Sequence, residues 1–239
     1  DILARMFPTA DLRRRCEASR ERLAKAKTMR ITSAAGTDVT YRLGQYRSLD
    51  EYGFTDAPGR WDHWPSGFSF TGPNEGGVEG TVVLERGDII LSSVAVGSKP
   101  FRRYVETPVR LTIAGGRITR IDGDGTDAAE LSQFMDSFGD PRAYAVSHIG
   151  WGMNENARWD YLAAGESRER TGGMDARAVY GNVLFSTGPN TEYGGDNNTR
   201  CHLDIPMRDC DLYLDNERIL AAGRVVPDDL RADLGSAGR

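Results

Sequence analysis

The chain has 239 residues, 30 Lys+Arg against 35 Asp+Glu, a formal net charge of −5 and 39% hydrophobic residues, a balance that excludes intrinsic disorder and allows a sizeable buried core. No stretch approaches the roughly 18 to 20 uninterrupted apolar residues of a membrane helix, since even Asp88–Gly97 is broken by Ser92 and Ser93. The mild negative charge argues against nucleic acid as a partner.

Thr9 is placed to cap a helix over Asp11–Lys27, with Leu12, Cys16 and Leu23 as its apolar stripe and the run Arg13–Arg15 read as a solvated charged face rather than a site. Short β-branched runs follow: MRITS, DVTYRL, Val78–Leu84 and DIILSSVAV from Asp88. Val109–Ile113 and Arg117–Ile121 alternate around Ala114-Gly115-Gly116 and predict a hairpin of well-fixed register. Asp122–Asp127 resembles a calcium loop, but its sixth position is Asp127 instead of Gly, so it reads as a turn, after which Thr126 caps a helix through about Phe138. Strands are expected at Ala143–Ile149, Val179–Phe185, Cys201–Ile205, Leu212–Leu214 and Arg218–Leu220, with a helix near Arg158–Ala164. The expected fold is α+β, a largely antiparallel curved sheet with flanking helices and a metal site at strand ends.

There is no Walker-type GxxxxGK[ST], no GxSxG and no HExxH. Cys16, Cys201 and Cys210 form no CxxC pair and leave an odd thiol, which fits a reducing cytoplasm. Asn197-Asn198-Thr199 reads as a polar turn. The chain starts at Asp1 without an initiator Met, so residues 1–239 are read as the metal-binding catalytic part of a longer polypeptide.

The three histidines carry the chemistry. His202 and Asp204 lie two apart in a run that reads as a strand ended by Pro206, so imidazole and carboxylate project from one face. His148 closes AYAVSHIG, where a mostly apolar strand enters the Gly- and Asn-rich GWGMNEN. Two imidazoles and one carboxylate suit a divalent first-row metal with open positions; Fe(II) is the natural candidate, Mn(II) and Zn(II) the alternatives. Around His63, Trp61, Trp64, Phe68 and Phe70 compose either an apolar slot for a planar ring or a small core that staples a loop. Glu75 and Glu79 lie in a Gly-rich turn and are assigned no catalytic role.

SHIGWGMN at Ser147–Asn154, GNVLFSTGPN at Gly181–Asn190 and RCHLDIPM at Arg200–Met207 together resemble the metal-binding half of the 2,5-dihydroxypyridine 5,6-dioxygenases, relatives of the aminopeptidase T metallopeptidases. The resemblance implies iron held by His148, His202 and Asp204 with Ser186 nearby, a catalytic Glu and His at Glu51 and His63, homo-oligomeric assembly, and an amino-terminal domain absent from this chain. It also implies a second His in the Glu51–His63 segment, where Ser66 stands instead. The expected activity is ring cleavage of a hydroxylated N-heteroaromatic by dioxygen. The alternative is hydrolytic deamination of an aminobenzoate-type ring. A peptidase would need several metal-binding Glu residues, of whose pattern this chain keeps only the His202 and Asp204 pair.

Overall fold

The computed structural model describes residues 2–92, 101–162 and 173–233. One helical turn, α1 (Ile2–Arg5), precedes α2 (Ala10–Lys25). Thr9 caps α2 as predicted: it is extended, at φ −120° and ψ 155°, and its hydroxyl accepts the Leu12 amide at 3.0 Å. The strands β1 (Thr28–Thr32), β2 (Asp38–Arg42), β3 (Ser48–Glu51), β4 (Phe68–Thr71), β5 (Val78–Leu84), β6 (Ile89–Ser92), β7 (Arg102–Tyr104), β8 (Val109–Ala114) and β9 (Arg117–Asp122) follow. After α3 (Thr126–Asp136) come β10 (Val146–Gly152), α4 (Met174–Ala178), β11 (Val183–Thr187), β12 (Leu203–Met207), β13 (Asp211–Leu214), β14 (Glu217–Ala221) and β15 (Arg224–Val225).

The strands form two antiparallel sheets where a single curved one is expected. The first has the order β15-β14-β13-β1-β2-β5-β8-β9 and the second β3-β4-β10-β11-β12-β6-β7. A single cluster of buried apolar side chains draws on both, joining Val39, Tyr41, Val82 and Leu111 of the first to Ile149, Trp151, Phe185 and Ile205 of the second. Because side chains alternate across a strand, the residues between those of the second sheet face away from this core: His148, Leu184, Ser186 and Asp204. The functional side chains thus stand on the outer face of the seven-stranded sheet. Gly150 is required there, since a Cβ would lie 2.1 Å from the Ser69 carbonyl oxygen on the neighbouring β4. No helix of the described residues is long and apolar enough to cross a membrane.

Several boundaries differ from expectation. The β8–β9 hairpin closes through Gly115 and Gly116, both at positive φ (57° and 74°), but its register shifts between Thr112 and Ile113. Gly125, not Thr126, caps α3, and the Asp127 carboxylate is engaged by the Thr107 amide and hydroxyl. The strand expected from Ala143 begins at Val146, after a 3-10 turn over Pro141–Tyr144, and runs on to Gly152. The strand expected from Val179 begins at Val183, because α4 and its C-terminal turn occupy the preceding residues. Pro206 lies inside β12 instead of ending it; it sits beyond Leu203 and Asp204, the residues paired with β6, so the amide it lacks has no ladder bond to make on that side. Trp159–Leu162 is a 3-10 turn in place of a helix near Arg158–Ala164, and residues 163 and 164 lie outside the described residues, as does the DIILSSVAV run beyond Ser92. β3, β4, β7 and β15 fall where the sequence predicts no strand.

Of the run Arg13–Arg15, Arg14 is exposed and paired with Asp11 as a solvated face requires, but Arg15 is not. Arg15 is fully buried and donates to the Met153 carbonyl and to Glu155, while Arg13 and Arg20 reach Asp56 and Asp50. These guanidinium groups fasten the helix to the second sheet and to the loop after β3.

Candidate metal centre

The ladder between β10 and β11 pairs Val146 with Thr187 and Ile149 with Phe185, so Ser147 and His148 together oppose the single residue Ser186. A bulge of this kind leaves an amide without its ladder partner and turns the local side chain to a new direction. Here the His148 amide donates to Ser186 Oγ at 2.9 Å, which satisfies it within the sheet. His148 is thereby aimed from the middle of a strand, not from the strand end that the sequence suggests.

His202 immediately precedes β12, and Asp204 is its second residue. The predicted convergence holds. His148 Nε2 lies 3.2 Å and His202 Nε2 3.4 Å from Asp204 Oδ1, and the three residues offer ligand atoms all within 4.8 Å of one another. Asp204 Oδ1 is buried and has no hydrogen bond of proper geometry, while two imidazole nitrogens lie beside it, so the three ligand atoms approach a common point. Such a set fits a divalent cation that accepts nitrogen and oxygen ligands.

The other carboxylate oxygen is fixed. Arg177 on α4 donates to Asp204 Oδ2 from Nε at 2.7 Å, and its second nitrogen lies 2.5 Å away. Burial pushes the Asp204 carboxyl up, but Arg177 first and then the imidazoles overcome this and hold it well below the usual carboxylate range. It is therefore ionised and ready to ligate.

These three residues form one wall of a cleft of about 350 Å³, of a size for a single aromatic ring, completed by Glu51, His63, Phe68, Phe70, Met174, Arg177 and Glu192. Phe68 and Phe70 stack at 5.3 Å and flank the His148 ring, at 6.3 and 5.2 Å between centroids. Opposite, Glu51 Oε2 lies 3.1 Å from His63 Nδ1 and accepts the Ser66 hydroxyl at 3.0 Å. The bond to Glu51 raises the His63 pKa above its ordinary value; burial opposes the shift, Glu192 adds to it and Arg177 subtracts from it.

Of the predicted site residues, Glu51, His63, His148, His202 and Asp204 all line this cleft. Ser186 lies behind it, its hydroxyl engaged with the His148 main chain. The four-ring slot is divided: Phe68 and Phe70 line the cleft, whereas Trp61 and Trp64 are about half exposed (51% and 47%), with Trp64 bonded to the Met6 carbonyl and packed edge-on against Phe7. Glu75 and Glu79 serve the scaffold, accepting from Tyr46 and the Gly115 amide. The sequence does not single out Arg177, Glu192 or Met174. A buried carboxylate calls for a cation, but the thirty cationic residues include only three lysines, Lys25, Lys27 and Lys99, and no local pattern picks one arginine from the rest.

The profile of the family described as NicX, 2,5-dihydroxypyridine 5,6-dioxygenase, matches residues 1–227. The 2,5-dihydroxypyridine 5,6-dioxygenase of Pseudomonas putida strain KT2440 is 50% identical over 235 residues, which are 97% of this chain and 64% of that protein. The solved structure of the 2,5-dihydroxypyridine dioxygenase from the same organism superposes with a TM-score of 0.89 at 48% identity, over 96% of this chain and 64% of that one. AmpT from Thermus thermophilus shares the fold alone, with a TM-score of 0.60 at 17% identity over 92% of this chain and 56% of its own. The chain thus spans 64% of the length of the Pseudomonas relative.

Proposed function

Because the chain belongs to the 2,5-dihydroxypyridine 5,6-dioxygenase family, we propose that it is the catalytic part of a mononuclear non-haem iron(II) dioxygenase that opens the ring of a hydroxylated N-heteroaromatic such as 2,5-dihydroxypyridine. The observation that carries this reading is the meeting of His148, His202 and Asp204 on the wall of a ring-sized cleft. Those three residues would hold Fe(II), which would supply open coordination positions and a path for electrons between an electron-rich ring and dioxygen.

The protein's own part is binding, orientation and proton transfer. Phe68, Phe70 and Met174 offer apolar surface to the flat faces of a ring. Arg177 keeps Asp204 ionised and turned so that Oδ1 is the ligand atom. With Nδ1–H donated to Glu51, His63 keeps the lone pair of its other ring nitrogen to accept the proton of a ring hydroxyl, and Glu51 stabilises the resulting imidazolium. Removing that proton matters because the hydroxypyridine anion gives up electron density far more readily than the neutral ring. Ser66, where the family resemblance implies a second His, orients Glu51. The buried, unpaired thiols Cys16, Cys201 and Cys210 support a reducing cytoplasm as the place of work.

The test is oxygen uptake after anaerobic loading with Fe(II), using a panel of hydroxypyridines, hydroxylated benzoates and aminobenzoates with mass analysis of the products. One dioxygen consumed per hydroxypyridine, with both oxygen atoms in an open-chain amide acid, is the expected result, and His148→Ala should abolish it. Release of ammonia from an aminobenzoate without oxygen consumption would establish an aminohydrolase instead.

A further inference from the structure

We propose that Arg60 is the positioning residue of the Glu51–His63 pair, setting the two side chains at contact distance by clamping the carboxylates that precede each of them in sequence, Asp50 and Asp62. The inference rests on the reading of Glu51 and His63 as the proton relay, but its geometry stands apart from that reading.

Glu51 is the last residue of β3, an edge strand, and no residue from Tyr52 to Gly67 belongs to a strand. His63 therefore has no ladder of its own to hold it 3.1 Å from Glu51. Arg60 supplies the missing tie. Its Nη1 donates to Asp50 Oδ1 and its Nη2 to the Asp50 carbonyl, both at 3.1 Å. Its Nη2 and Nε also donate to Asp62 Oδ2, at 2.7 and 3.1 Å, and Nε reaches the Phe54 carbonyl at 2.9 Å. The guanidinium carbon lies 3.8 Å from the Tyr52 ring centroid, which holds the group in its plane. Asp62 passes the constraint on: its Oδ1 accepts the amides of Tyr52, Gly53 and His63 itself, at 2.9, 3.0 and 2.7 Å. Asp50 is braced from the other side by Arg20 at 2.9 Å.

Charge demands the clamp chiefly at Asp62. The Asp50 and Asp62 side chains are 5% and 1% exposed, so without Arg60 the Asp62 carboxylate would be buried without its cation beside an Asp50 that kept only Arg20. They would separate or take up water, and Glu51 and His63 would separate with them. A lysine cannot replace the fork, because a single ammonium does not bridge two carboxylates and two carbonyls in one plane. The groups acting on His63 from the surrounding elements are Glu51 on β3, Glu192 on the turn after β11, Arg177 on α4 and the Trp61 ring, 4.4 Å between centroids, with the Asp62 carboxylate on its own segment. Arg60 acts on Glu51, through Asp50, and on Asp62, and leaves the others in place.

The experiment compares Arg60→Gln and Arg60→Lys with the parent chain, reading the His63 imidazole by NMR titration, the pH profile of kcat/KM, and metal content. In Arg60→Gln the His63 midpoint should fall toward about 6.5 and the acid limb of the profile should move down with it. The kcat should drop about 10-fold or more while KM and metal content stay within about twofold. Arg60→Lys should shift the midpoint the same way by less, and it carries the test if Arg60→Gln does not fold. Arg30→Gln, which breaks the exposed ion pair to Asp38 on the first sheet, should leave the midpoint where it is. A His63 midpoint and acid limb unmoved or raised in both Arg60 variants, an equal shift in Arg30→Gln, or metal lost in step with activity would overturn the assignment. Glu51→Gln separates the two layers: unchanged kcat in that variant refutes the relay, while the NMR titration still decides what Arg60 does.

Discussion

The two walls of the cleft are built by different physics. On the metal wall, His148 and Asp204 hang from β10 and β12, interior strands of the second sheet, and are 7% and 1% exposed. Their positions follow from ladder register, one bulge and the Ser186 bond that closes it. On the relay wall, Glu51 ends an edge strand and His63, with a side chain 46% exposed, belongs to an irregular segment held by Arg13, Arg20 and Arg60. A main-chain ladder in a dry interior responds little to salt or pH, whereas a partly exposed charge network responds to both. In the proposed function, the ligands that would meet one cation sit on the rigid wall, and the groups that would gain and lose a proton sit on the responsive one.

The largest expected effect breaks the metal wall. Asp204→Ala should remove the bound metal and leave Arg177 without its carboxylate, at a cost of about 3–5 kcal/mol, measurable by elemental analysis and urea unfolding. Retention of stoichiometric metal would place the cation elsewhere. A smaller effect is expected from Ser186→Ala, which strands the buried His148 amide. Stability should fall by about 1–3 kcal/mol and metal affinity by about 10- to 100-fold, with the His63 titration untouched. Should metal affinity hold while stability falls, the bulge would matter for folding alone.

The smallest effect belongs to the relay wall and depends on pH. The folded-state pKa of His63 is raised, so the charged pair it makes with Glu51 stabilises the fold fully below the unfolded imidazole value of about 6.5 and ceases to do so as pH rises through the folded value. The Tm difference between the parent and His63→Ala should therefore be greatest in mild acid, fall in mild alkali to what the neutral hydrogen bond and ring packing contribute, and shrink in about 1 M salt. A difference independent of pH would show that His63 contributes by packing alone.

Alternation on β12 made the His202 and Asp204 pair legible, because two residues apart in an extended chain means one face, whatever the strand packs against. The Thr9 cap and the Gly115-Gly116 turn were legible for the same reason: each is a local conformation written by adjacent residues. The end of AYAVSHIG marked His148 and the family resemblance marked Glu51 and His63, but neither said how they are held. Tertiary structure alone decided that a bulge aims His148, that Arg177 fixes Asp204, that Arg60 ties Asp50 to Asp62, and that Trp61 and Trp64 stand outside the cleft while Phe68 and Phe70 line it. The reason is one of range. Periodicity and turn chemistry act between neighbours, while the choice of one arginine for a buried carboxylate is made by the packing of segments far apart in sequence, where burial sets the demand and register decides which guanidinium is within reach.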